Sequence, residues 1–110
     1  QLVGPAKTKE LFYTARRVQS DEALALGIFN QVVPDEDFLT QTMNLAKHIA
    51  SGPPIALGYM KENINAATGC DLRASLNMEA DRLMRCASTK DHKEAVAAFM
   101  AKRTPVFTGK

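Results

Sequence analysis

The sequence predicts an all-α chain of about six short helices with one or two very short extended segments. Three observations carry this prediction. Apolar residues recur at three- and four-residue steps over most of the chain, the spacing of one helix face. Breakers separate those runs: Gly4-Pro5, Gly27, Pro34, Gly52-Pro53-Pro54, Gly69 and Pro105. β-Branched and aromatic residues gather at Ile28 to Val33, just before Pro34, and a proline biases the residue before it toward extended backbone.

Each element follows from local chemistry. Pro5 opens the first helix where its missing N–H is tolerated, and Ala6 to Thr14 continue it with Leu11 and Phe12 apolar. Arg16 to Gln19 form a short extended connection. Ser20 is the expected cap of a brief helix, and Gly27 stands where such a helix turns left-handed and stops. Asp35, Glu36 and Asp37 set three acids at the next helix start, as the dipole prefers. Phe38, Thr42, Leu45 and Ile49 follow one face of that helix, and Leu39, Met43, Ala46 and Ala50 lie beside it. His48, after Lys47, suits its negative end. Ile55 to Thr68 carries a stripe of Leu57, Met60, Ile64 and Ala67. Asp71 caps the following helix, where Leu72, Leu76, Ala80, Leu83 and Ala87 recur at nearly four-residue steps. Thr89 caps the last helix, with Asp91 and Glu94 near its positive end and Val96, Phe99 and Met100 as its apolar stripe. Lys102 and Arg103 are expected in its final turn, and Pro105 forbids continuation.

Composition narrows the function. At this length residues 1–110 form a single domain, and the 45% apolar content is ordinary for a globular chain. The formal charge of +2 gives no electrostatic case for nucleic acid or an anionic membrane. No apolar run approaches the roughly 20 residues that span a bilayer, and no signal peptide is expected at Gln1. Cys70 and Cys86 read as a reduced pair, too widely spaced with two scattered histidines for zinc. No phosphate-binding glycine loop occurs. Ser88, Asp91 and His92 fall at a helix start rather than in converging triad geometry. The carboxylate groups Glu79 with Asp81, Asp91 with Glu94, and Asp35 to Asp37 each have a helix-surface explanation. No catalytic residue, no metal ligand and no cofactor is therefore assigned. The helices at 55–68 and 72–87 have wider apolar faces than six short helices can cover, so a second covering surface is expected. Phe99 and Lys102 share a helix face three residues apart, a ring and an ammonium suited to an aromatic ring bearing phosphate. By its periodicity alone, Phe99 belongs to the core stripe.

The ordered set of segments resembles a known family. It comprises Ala6-Lys7-x-x-Glu10-Leu11-Phe12-Tyr13-Thr14, Arg17-Val18-x-Ser20-x-Glu22-Ala23, Leu26-Gly27-Ile28-Phe29-Asn30-x-Val32-Val33-Pro34, Pro53-Pro54-x-Ala56 to Lys61 with Asn65, and Ala98-Phe99-x-x-Lys102-Arg103-x-Pro105-x-Phe107. Together they are similar to the carboxyl-terminal region of the enoyl-CoA hydratase/isomerase, or crotonase, family. The resemblance implies a helical oligomerisation region that follows a spiral catalytic core, with Gln1-Leu2 just after that core's last acid. Oxyanion donors and catalytic carboxylates would then lie outside these residues, and the chain alone would not turn over acyl-CoA. It also implies CoA-binding roles for Phe99, against adenine, and Lys102, toward a phosphate. Further implications are a CoA thioester as substrate and a homo-oligomer, trimer or hexamer, as the assembly; apart from the resemblance, no nucleic-acid or membrane partner and a cytoplasmic location are expected. Beginning at Gln1 favours a fragment or a processed chain. The other reading is a self-standing helical assembly module without catalysis. One departure stands out, because the family commonly has glycine where Ala15 stands. A left-handed turn costs a non-glycine residue about 1–2 kcal/mol, so a different turn and a different acyl-pocket wall near Tyr13 are expected.

Overall fold

The computed structural model describes residues 2–110. Gln1, which with Leu2 resembles the point just after the last acid of a catalytic core, lies outside the described residues. The elements are α1 (Gly4–Thr14), α2 (Ser20–Ala25), α3 (Asp35–Ala50), α4 (Pro54–Ala67), α5 (Leu72–Ala87) and α6 (Lys90–Met100). Among the described residues there is no strand, so the chain is all-α as predicted. The segment from Ile28 to Val33 is irregular and joins no ladder. Its first two N–H groups are already used, since Ile28 and Phe29 donate to the Ala23 carbonyl at 2.9 and 3.3 Å and close the end of α2.

The chain divides into two compact units, one ending at Thr42 and one running from Met43 to Lys110. In the first, Arg16 joins the two short helices. Its guanidinium contacts Glu10 at 3.0 Å and Glu22 at 2.5 Å, while Lys7 also pairs with Glu10 at 2.5 Å. Lys7 and then Arg16 hold the Glu10 carboxyl below its ordinary range, and Arg16 does the same for Glu22. Helix α2 begins without the expected Ser20 cap. Gln19 occupies the cap position, makes no side-chain bond there, and accepts the Ala23 N–H at 2.9 Å. A helix this short relies on the Arg16–Glu22 contact and on its C-terminal closure. That closure is a Schellman turn: Gly27, at φ 70°, donates to Leu24 at 3.0 Å and Ile28 donates back to Ala23.

Ala15 corrects one expectation. It takes the left-handed turn despite its side chain, at φ 47° and ψ 27°, with its N–H bonded to the Leu11 carbonyl. The turn lies between the end of α1 and Arg16, which bridges Glu10 and Glu22. Left-handed backbone costs alanine about 1–2 kcal/mol, and the greater unfolded freedom of glycine offsets roughly 0.5–1 kcal/mol of any relief. Ala15→Gly is therefore expected to stabilise the first unit by about 0.5–1 kcal/mol, measured by denaturant unfolding. A loss of stability would show that the turn carries no strain.

In the second unit α4 packs on α5, and α5 on α6. Arg82, whose side chain is only 18% exposed, ties α5 to α4. It pairs with Glu62 at 2.8 Å, hydrogen-bonds Asn63 and lies 5.7 Å from the centre of the Tyr59 ring. Asp71 and Thr89 cap their helices as expected, accepting the N–H groups of Ala74 and His92 at 2.7 and 3.0 Å. The α3–α4 turn passes close to α4: a Cβ on Gly52 would stand 3.0 Å from Leu57 Cδ1.

Few apolar side chains are buried among the described residues. Among the described residues the buried apolar side chains are Ala23 and Ala98, and no large side chain is fully buried. Phe12, Phe38, Leu39, Ile64, Leu72, Leu83 and Met100 are all more than half exposed. The amphipathic stripes predicted the helices, and among the described residues many of the apolar side chains on them are exposed.

Candidate functional site

The candidate site lies at the two ends of α6 and in the tail that follows it. The start of α6 receives that tail. Lys90 and Asp91 donate their N–H groups to the main-chain oxygen of Lys110 at 2.7 and 3.1 Å, satisfying two of the four donors a helix start leaves free. Asp91, only 2% exposed, completes the latch. Its carboxylate accepts the N–H groups of Thr108 at 2.8 Å and Gly109 at 2.9 Å. Gly109 is needed there, because its φ is 73° and a Cβ would stand 3.0 Å from Pro54 Cγ.

Asp91 is thus occupied, and the geometry excludes a triad. Ser88 Oγ donates to the Arg85 carbonyl at 2.7 Å, not to His92. His92 instead lines a cleft of about 110 Å³ with Pro53, Ile55, Cys86, Ala95 and Phe107. Ligand pockets for drug-sized molecules run to roughly 300–1,000 Å³, so this cleft cannot enclose a nucleotide. Cys70 and Cys86 are free thiols.

The other end of α6 differs from the prediction. The helix stops at Met100, so Lys102 and Arg103 lie beyond it rather than in its last turn. The stop is made by main-chain bonds before Pro105 is reached. Lys102 N–H donates to Phe99 at 3.1 Å and Arg103 N–H to Ala98 at 3.0 Å, the paired bonds of a Schellman turn. Lys102 takes the left-handed position at φ 52°, where glycine is usual. Phe99 is not core: it is 82% exposed, beside an exposed Lys102. The structure therefore places both predicted CoA-binding residues on one open helix end.

Glu94 holds the chain on the far side of the turn. Its carboxylate binds Arg103 with both oxygens, at 2.5 and 2.8 Å, and accepts the Val106 N–H at 3.0 Å. Arg103 first, and then the Val106 N–H, hold this carboxyl down to about 2, so it is ionised throughout the neutral range. Sequence reasoning gave Asp91 and Glu94 only dipole roles. Their partners lie 17 and 9 residues away, at spacings with no helical periodicity to reveal them.

A model of the enoyl-CoA hydratase/isomerase family matches residues 1–110. The chain is 36% identical to a short-chain-enoyl-CoA hydratase of Clostridium acetobutylicum, over 94% of this chain and 40% of the relative. It is 34% identical to the 1,2-epoxyphenylacetyl-CoA isomerase of Escherichia coli, over 100% of this chain and 42% of the relative. A crystal structure of an enoyl-CoA hydratase from Bacillus anthracis superposes with a TM-score of 0.94 at 38% identity, covering 99% of this chain and 42% of that one. The chain thus spans about two-fifths of the length of these relatives.

Proposed function

This chain belongs to the enoyl-CoA hydratase/isomerase family, and from that premise we propose that it is the helical carboxyl-terminal part of a longer acyl-CoA enzyme. In that enzyme it joins subunits and covers the CoA site. The observation that carries this reading is the exposure of its apolar faces. Helices α3, α4 and α5 turn Phe38, Leu39, Ile64, Leu72 and Leu83 outward. Large apolar side chains left exposed in this number mark contact with another protein surface. Burial of such side chains contributes about 1.5–3 kcal/mol each, enough to drive assembly.

The reaction of the whole enzyme is addition of water across, or migration of, a double bond in an acyl-CoA thioester. The enolate formed on the thioester needs an oxyanion hole and a proton-moving carboxylate. Neither is assigned to a residue of this chain; other parts of the enzyme supply them. The contribution proposed here is binding. Phe99 offers an exposed ring for the adenine, and Lys102 offers an ammonium for a CoA phosphate, charge-assisted and adaptable in direction. The substrate's handle would be held here while its acyl end reacts elsewhere.

The test is sedimentation of the enzyme that carries this chain, with and without residues 2–110, beside an assay with a short 2-enoyl-CoA. The expected result is an active oligomer that falls to inactive monomers on deletion. Persistence of the oligomer after deletion would overturn the assembly role. Failure of the intact enzyme to act on any acyl-CoA thioester would overturn the reaction class.

A further inference from the structure

We propose that Glu94 is a positioning residue for Lys102, holding the left-handed turn from which the lysine side chain departs. This rests on the reading of Lys102 as a phosphate contact and adds a second residue to it. The turn is strained: non-glycine residues in this region cost about 1–2 kcal/mol, and such strain persists only where the surroundings over-determine it. The surroundings here are on the page. Before Lys102, Ala98 is fully buried and its carbonyl accepts the Arg103 N–H at 3.0 Å. After it, Arg103 and Val106 are both gripped by the one carboxylate of Glu94, through three bonds of 2.5, 2.8 and 3.0 Å. Glu94 precedes the turn in the chain and its partners follow it, so the clamp closes a loop with Lys102 inside. A bidentate carboxylate–guanidinium pair fixes the plane of both groups, which a single contact does not.

The clamp makes sense as pre-organisation. Among the described residues Lys102 has no ion-pair partner, so its ammonium is left to solvent or to a ligand. A long lysine side chain is flexible, and its reach is set by where the backbone releases it. If the turn relaxed to an ordinary conformation, the ammonium would leave from a different direction. Apparent affinity then falls by the fraction of molecules still in the competent turn. A capping acid with only a dipole role would need neither both oxygens on Arg103 nor a third bond to Val106.

The test is a double-mutant cycle in the enzyme that carries this chain, read as KM and kcat for an acyl-CoA ester. Glu94→Ala is expected to raise KM about fivefold with kcat within about twofold, as loss of a pre-organised population predicts. Arg103→Met breaks the same clamp from its other side and is expected to match it, which covers the case in which Glu94→Ala does not fold. In a Lys102→Ala background neither change is expected to raise KM further, because the residue being positioned is gone. Full additivity in the double variant overturns the proposal and marks Glu94 as merely structural. An unchanged KM in Glu94→Ala and Arg103→Met, with Lys102→Ala still raising it, overturns the clamp and leaves the phosphate contact standing. An unchanged KM in Lys102→Ala overturns both.

Discussion

Lys102→Ala, in the enzyme that carries this chain, is expected to raise KM for acyl-CoA thioesters about tenfold and to leave kcat within about twofold. The magnitude follows from removing one charge-assisted phosphate contact, worth about 1.4 kcal/mol in a partly solvated setting. The split follows from where the contact acts. A phosphate far from the thioester is bound equally in the ground and transition states, so losing its partner weakens binding without slowing chemistry. The backbone argues the same way. Lysine at φ 52° is a poor choice for stability, and alanine there is as strained as lysine, so the substitution isolates the ammonium. A comparable loss measured with a truncated thioester that lacks the nucleotide would contradict the assignment, because no phosphate would remain to lose. An unchanged KM for the intact CoA ester would remove Lys102 from the site.

Asp91→Ala is expected to release the tail. The buried carboxylate accepts two main-chain N–H groups, and bonds to a charged acceptor contribute about 1.5–3 kcal/mol each. Solvent satisfies part of what is lost, so a net local destabilisation of about 2 kcal/mol is expected, or roughly thirtyfold more of the open tail. Hydrogen exchange at the Thr108 and Gly109 amides reads this directly. Asp91→Asn, which keeps one good acceptor oxygen, should fall between. Unaltered protection of both amides in Asp91→Ala would show that the Lys110 contacts to α6 suffice alone. This readout concerns the Thr108 and Gly109 amides, which lie beyond Val106, the last residue that Glu94 holds.

Some of this was legible in the sequence because it is local. Asp71 and Thr89 were identified as caps because a cap needs only the donor two or three residues on. Gly27 was identified as a helix end because a left-handed residue is cheap for glycine alone. The ordered segments ending in Phe99-x-x-Lys102-Arg103 pointed to the family that the comparisons show. Where local rules failed, a neighbour had overridden them. Ser20 lost its cap role when Gln19 took the boundary. Ala15 kept a turn that its side chain disfavours, beside a guanidinium bridge to Glu10 and Glu22. Phe99 fitted the apolar stripe of α6, yet periodicity gives only the face of a residue and not what lies opposite it.

The sequence by itself determined the six helices, most of their ends and the family, because each depends on contacts within a few residues or on an ordered set of motifs. The tertiary structure alone decided that the tail returns to the start of α6 through Asp91. It also decided that Glu94 clamps the Lys102 turn. Those are contacts between positions whose separation has no fixed period. Their energies depend on which donors, acceptors and apolar surfaces meet in three dimensions, and no local propensity encodes that meeting.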